Sequence, residues 1–257
     1  MSFQVLLYHG LYADRSEIRG KPAREYVSRD DFSRQVRWMQ EEGYALIPVR
    51  ECRKRRELGE SLLRTVALTF DDGKRSDLTL AAPLLLEVGV KATFFIIPRW
   101  LDRPNIMGPE AVRELSDMGM EIGSHSLTHP FMTSLTEEER VSEATDSKRF
   151  LEDLVGGEVE SFSYPHGAAD GRVREAVARA GYSSACGTVR GANPPSPDWL
   201  MLKRWGIHET TGLDGLRRIL VRGTPSLFEQ GADRLKRGLG PERYHRWREK
   251  LLRRAED

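Results

Sequence analysis

Two stretches of this chain hold residues whose types and spacing can do chemistry. In Thr65-Val66-Ala67-Leu68-Thr69-Phe70-Asp71-Asp72-Gly73, an apolar, β-branched run stops at two adjacent carboxylates and a glycine follows. Such a run reads as a buried strand that delivers Asp71 and Asp72 to its C-terminal mouth, where α/β sheets place their chemistry. Neighbouring carboxylates on a tight turn cannot point the same way, so one can bind a metal while the other moves protons. The plain alternative is a surface turn, for which Asp-Asp-Gly is ordinary. The second stretch, Gly123-Ser124-His125-Ser126-Leu127-Thr128-His129-Pro130, offers two histidines four apart, which share a face if the chain makes a helical turn there. With Asp72 they supply two imidazole nitrogens and one carboxylate oxygen and leave positions open for water and substrate. That is a catalytic rather than a structural donor set. Zinc suits it best, and cobalt or nickel also fits.

These residues need a scaffold, and the elements around them alternate. Gln4–Tyr8 is a short strand ending at His9-Gly10, and a polar loop from about Leu11 to Tyr26 follows it. Ser28 caps a helix whose apolar face is Phe32, Val36 and Met39, with Gly43 as its stop. Ala45–Ile47 is the next strand, and the basic stretch Arg50–Arg56 reads as a solvated helix face. After the aspartates come a helix over Leu78–Val88, with Pro83 in its first turn or kinking it, and a core strand over Lys91–Ile97. A helix over Pro109–Met118 leads to a strand from Met120, and Thr136–Glu139 is a capping box opening a helix to about Leu154. Strand Ser161–Tyr164, helix Arg172–Arg179 and strand Ser183–Cys186 continue the pattern; a proline-rich loop, Asn193–Pro197, precedes Leu202–His208. Regular alternation of this kind predicts a parallel sheet, with closure into a barrel as its expected form.

A chain of 257 residues with 39% hydrophobic and 31% charged residues can build one full α/β core. Lysine plus arginine (40) nearly balances aspartate plus glutamate (39), which argues against a nucleic-acid partner. No apolar run reaches membrane-spanning length. Met1-Ser2-Phe3-Gln4 enters a strand directly without the pattern of a secretory signal, so a cytoplasmic location is expected. Cys52 and Cys186 lack metal-type spacing and read as buried thiols of a reducing compartment. Beyond Leu213 the chain is basic and reads as helical. Tyr244, Trp247 and Leu251 form an apolar stripe expected to dock on the barrel, with peripheral contact to an anionic membrane as the lesser alternative. His245 lies in that basic tail and carries no special expectation.

Thr69-Phe70-Asp71-Asp72-Gly73 together with His125-Ser126-Leu127-Thr128-His129 resembles the first two motifs of the polysaccharide deacetylases, carbohydrate esterase family 4. The resemblance runs from about Val5 to His208. It implies a distorted (β/α) barrel of about seven strands over residues 1–210, with residues 211–257 as a basic helical C-terminal extension packed on it. It also implies a divalent metal held by Asp72, His125 and His129, with Asp71 as general base, and hydrolysis of an N-acetyl group on an amino sugar of a polysaccharide or glycoconjugate. The family's third motif, Arg-x-Pro-Tyr-Gly, corresponds here to Ser163-Tyr164-Pro165-His166-Gly167. The resemblance makes Tyr164, Pro165, His166 and Gly167 the substrate and oxyanion side, with the His166 backbone amide as donor. Ser163 stands where the arginine that orients the base would be, which leaves open what positions Asp71.

The family also needs a histidine acid opposite the base. His9 resembles the arrangement in members whose barrel is circularly permuted, and His208 the late position of unpermuted members. His9 is favoured, because a strand precedes the aspartate motif and this histidine ends it. Two rival readings stand beside the deacetylase. One is an amidase or deformylase of the same broad family acting on a small or lipid-linked substrate. The other is a catalytically silent glycan-binding barrel.

Overall fold

The computed structural model describes residues 2–19, 25–223 and 242. In chain order its elements are β1 (Gln4–Tyr8), β2 (Gly10–Tyr12), β3 (Tyr26–Ser28), α1 (Arg29–Glu41), β4 (Ala45–Ile47), α2 (Val49–Glu57), β5 (Thr65–Phe70), α3 (Ala82–Glu87) and β6 (Thr93–Ile96). There follow α4 (Pro109–Asp117), β7 (Glu121–Ser124), α5 (Glu137–Val155), β8 (Ser161–Ser163), α6 (Gly171–Arg179), β9 (Ser184–Cys186), β10 (Trp205–Gly206) and α7 (Gly212–Arg222). Seven strands follow one another in the order β10-β1-β5-β6-β7-β8-β9. Every pairing is parallel. β4 shares the edge of β5 with β6, taking Thr65–Ala67 while β6 takes Thr69 and Phe70. The ring is closed on its last side by one parallel bridge, Cys186 to Leu202. This is the expected distorted (β/α) barrel.

The physics of the sheet follows from its residues. β5 is buried along its whole length, as a parallel strand covered on both faces must be. Its side chains alternate between two cores. Val66, Leu68 and Phe70 join Leu6, Tyr8 and Phe94 beneath the helices, whereas Ala67 joins Val5, Phe95, Cys186 and Leu202 inside the barrel. Phe70 stacks on Tyr8 at 5.3 Å and on Phe94 at 4.8 Å, which fixes the register of the central strands.

Local signals set the helix ends. The Ser28 side chain accepts the Asp31 N–H at the start of α1, and Thr136 and Glu139 make a full capping box on α5. Pro83, which has no N–H to donate, is preceded by a wide turn of π type over Asp77–Ala81, so Leu78–Val88 is not one regular helix. The loop expected from Leu11 to Tyr26 instead begins and ends in strand: β2 and β3 pair in a small parallel ribbon outside the barrel. At the other end α7 packs on α1. The expected stripe of Tyr244, Trp247 and Leu251, and His245, lie outside the described residues.

Candidate active site

Strand alternation aims Asp71 inward, continuing the face of Ala67 and Thr69, and on its own would aim Asp72 away. Asp72 instead takes φ 78°, a left-handed conformation uncommon outside glycine, and Gly73 follows at φ 66°. The turn so formed keeps both carboxylates at the barrel mouth, where they are 3% and 8% exposed.

Asp71 is held by an arginine. Arg204, itself 1% exposed, grips it with two parallel hydrogen bonds, from Nη1 to Oδ1 and from Nη2 to Oδ2, both 2.8 Å. The Nη2 group also donates to Ser163 Oγ at 2.9 Å, and Ser163 Oγ donates to Asp71 Oδ2 at 3.2 Å. Nε donates to the Gly187 carbonyl at 2.8 Å, fixing the plane of the guanidinium. Arg204 sits just before β10, on the far side of β1, and thus occupies the role left open by Ser163. Burial opposes ionisation of Asp71 and is the largest single influence on it. The Arg204 charge and its hydrogen bonds outweigh it and hold the carboxyl below its ordinary range.

Asp72 turns to different partners. One ligand atom each from Asp72, His125 and His129 lies within 4.8 Å of the others. The Nδ1–H of His125 donates to the Ser163 carbonyl at 2.7 Å, which leaves the Nε2 lone pair facing Asp72 Oδ1 and Asp71 Oδ2, each at 3.7 Å. An imidazole fixed through one nitrogen with the other free is how a metal-ligating histidine is set. His129 is pulled down to about 3 by burial, reinforced by the neighbouring His125, so it stays neutral and keeps its lone pair. The second oxygen of Asp72, Oδ2, pairs with Lys74 Nζ at 3.1 Å. Burial resists charge on Asp72 most strongly, yet the positive charge around it, with the Lys74 ammonium in direct contact, holds it ionised below its ordinary range. These residues fit a divalent cation: one carboxylate oxygen and two imidazole nitrogens, that of His125 set by its other ring nitrogen, on one side of the mouth.

The histidine stretch is not helical. Residues 125–129 form a loop with Ser126 at φ 61° and His129 at φ 68°. A carboxylate on α5 shapes it: Glu143 accepts the N–H groups of Leu127 and Thr128, each at 2.9 Å, and the Thr128 hydroxyl at 2.6 Å. The His125 N–H donates to the Ile96 carbonyl at 2.8 Å, tying the loop to β6. His125 and His129 meet edge to face at 4.7 Å through this loop, not through a helical turn.

His9 ends β1 next to the aspartate strand, where Asp71 N–H donates to the Tyr8 carbonyl at 3.0 Å. It lies near enough to act on both Asp71 and Asp72, and its buried Nδ1 has no hydrogen-bond partner among the described residues. His208 lies one strand further on, its ring against Gly206, where a methyl group would meet Nε2 at 3.1 Å. In the third stretch, the Tyr164 ring turns away from the mouth: it is buried, and its hydroxyl donates to the Leu200 carbonyl at 2.8 Å. Pro165 is buried, and the Gly167 N–H closes a turn on the Tyr164 carbonyl at 2.8 Å. His166, at φ 57°, is the member of this stretch that reaches the site, 4.5 Å from His129 and stacked on Phe131 at 3.9 Å. Arg204, Lys74 and Glu143 carry no local motif. The one signal for Arg204 is a charge set between Leu202 and Trp205, in a run otherwise fit for burial.

A seven-stranded (β/α) barrel with an acid pair and two histidines at its C-terminal mouth defines a class of hydrolase scaffold, and similarity to known proteins specifies it. The family model of polysaccharide deacetylases matches residues 60–185, which run from the approach to β5 through most of β9. Residues 60–185 are thus a domain of the polysaccharide deacetylase family. The chain is 27% identical over 220 residues to YxkH of Bacillus subtilis, a proposed polysaccharide deacetylase, covering 82% of this chain and 72% of that protein. It is 34% identical over 115 residues to chitin deacetylase 1 of Cryptococcus neoformans, 44% of this chain but 23% of that relative's length. The deacetylase PplD of Streptococcus pyogenes, solved with acetate, shares the fold at a TM-score of 0.79 and 23% identity, covering 88% of this chain and 99% of that one.

Proposed function

We propose that the protein is a metal-dependent hydrolase that removes an N-acetyl group from an amino sugar of a polysaccharide or glycoconjugate. One observation carries the reading. Two adjacent acids are committed to different partners, Asp71 to a buried arginine and Asp72 to a cluster with two imidazoles. Family membership and the name of the chitin deacetylase relative support an acetylated amino sugar as substrate.

Asp72, His125 and His129 would hold the cation, zinc first and cobalt or nickel as substitutes. When bound, such an ion brings a water from a pKa of about 15.7 to about 7 and polarises a carbonyl. Asp71, kept ionised by Arg204, accepts the proton of the attacking water on a carboxylate oxygen. His9 delivers a proton to the departing nitrogen, without which the tetrahedral adduct reverts to amide. His166 and its turn border His129 and form the oxyanion side. The test is acetate release from an N-acetylglucosamine oligomer together with metal content. Asp71→Asn is expected to keep the metal and lose activity on the order of 10²–10⁴-fold, whereas His125→Ala loses both. Normal metal binding by His125→Ala would overturn the ligand assignment.

A further inference from the structure

A cleft of about 450 Å³ opens beside Asp72, between β2, the turn at Arg15–Ile18 and the segment from Lys74 to Leu80. We infer that this cleft binds an acidic substituent on the sugar next to the one being deacetylated, so that the enzyme prefers anionic over neutral glycans. The placement rests on the reading above; the charge preference rests on the cleft itself. Two of its residues join it to the reaction centre. Lys74 lines it and reaches Asp72 Oδ2 at 3.1 Å, and Leu11 lines it two residues after His9. An acid at His9 protonates the nitrogen that stays on the sugar, so the glycan extends on the His9 side, toward this cleft.

The walls are built, and they present one cation, Arg75, that no acid pairs among the described residues. The Leu11 N–H donates to Ser76 Oγ at 3.0 Å and the Arg75 N–H to the Asn105 carbonyl at 2.8 Å, which fixes the backbone on both sides of Arg75. The Arg75 side chain is exposed, and among the described residues its guanidinium makes no hydrogen bond or ion pair. Glu17, the acid in the lining, is held by the backbone, its Oε1 accepting the Asp14 N–H at 3.1 Å in a capping box, and it makes no ion pair with Arg75. An exposed planar guanidinium with no ion pair, set in a cleft, is a receptor for a carboxylate or a phosphate, and arginine binds either in bidentate fashion.

Calorimetric titration of the metal-loaded Asp71→Asn protein, which binds without turnover, tests this with three probes. They are a neutral N-acetylglucosamine tetramer, a tetrasaccharide alternating N-acetylglucosamine with glucuronic acid, and a neutral tetramer carrying one phosphate monoester. At low salt the acidic probes are expected to bind roughly five- to tenfold more tightly than the neutral one, as one partly exposed charge-assisted contact supplies. The better of the two identifies carboxylate or phosphate as the source. Adding Arg75→Ala should abolish the difference and Arg75→Glu should invert it, with neutral binding unchanged. Equal binding of acidic and neutral probes, or a preference that survives Arg75→Glu, overturns the inference. An Arg75-dependent preference in a protein whose unsubstituted form releases no acetate would sink the deacetylase reading and leave the cleft assignment standing.

Discussion

Arg204 is the residue whose removal should be felt in stability and catalysis at once. Replacing it with methionine keeps the volume of its stem but strips Asp71 of both hydrogen bonds and its counter-charge, and leaves the Gly187 carbonyl without its donor. Breaking a buried pair by removing one partner costs about 3–5 kcal/mol. The sign of the pH effect follows from the direction of the shift. Asp71 lies below its ordinary range in the folded protein. Its contribution to stability is therefore present above the unfolded value of about 3.9 and is lost as pH falls through the lower folded value. Without Arg204 burial governs and pushes the carboxyl upward, so the base weakens as well. Denaturant unfolding of metal-free protein from pH 3 to 8, paired with the pH profile of acetate release, reads both effects. Arg204→Met should unfold at markedly lower denaturant above pH 5, with the gap narrowing on acidification, and its activity should fall on the order of 10²–10⁴-fold. Arg204→Lys keeps a point charge without the fork and should fall between, its acid limb moved upward. A methionine variant within about 0.5 kcal/mol of the parent, the scatter of neutral surface changes, and with an unmoved acid limb would refute the reasoning.

Three further outcomes follow from the same geometry. Glu143→Gln replaces an acceptor of three hydrogen bonds by a group that must present a donor to part of the histidine loop, so metal affinity should fall about 10–100-fold; competition with a chromogenic chelator measures it, and unchanged affinity would show that the loop holds its shape unaided. His9→Gln should retain the metal and lose activity on the order of 10²–10⁴-fold, while His208→Gln stays within about twofold; the reverse pattern in acetate release would move the acid role to His208. Asp77 is fully buried with both carboxylate oxygens unpartnered among the described residues, and burial pushes its carboxyl well above the ordinary range. A raised acid contributes stability below its unfolded value of about 3.9 that is lost as pH climbs toward the folded one. Asp77→Asn should therefore raise the melting temperature at pH 7 and make no difference near pH 4; a variant no more stable at pH 7 would contradict this.

What could be read from the chain divides along physical lines. β5 and its acids were legible because a fully apolar run that stops at two carboxylates is a local pattern, and burial of both faces of a parallel strand leaves that pattern unbroken. The histidine pair was legible as a donor set but not as a conformation. Four-residue spacing suits a helical turn, but His129 precedes Pro130, a position biased away from helix, and the carboxylate that shapes the loop comes from α5. Arg204 was not legible at all, since its tie to Asp71 spans 133 positions and no periodicity links them.

Arg204 also explains the serine. With the guanidinium arriving across β1 from the segment before β10, the space beside Asp71 on β8 admits only a short side chain. Ser163 fills it, accepting from Arg204 and donating to Asp71. Its backbone carbonyl meanwhile fixes the His125 ring at 2.7 Å, so one small residue links the base to the metal side of the mouth. An arginine restored at position 163 would put a second guanidinium where the first already sits, with like charges in contact and no second carboxylate to share. Ser163→Arg is therefore expected to unfold or expel Arg204 rather than improve the base, and a stable, active Ser163→Arg enzyme would mean that the two positions are not alternatives for one role.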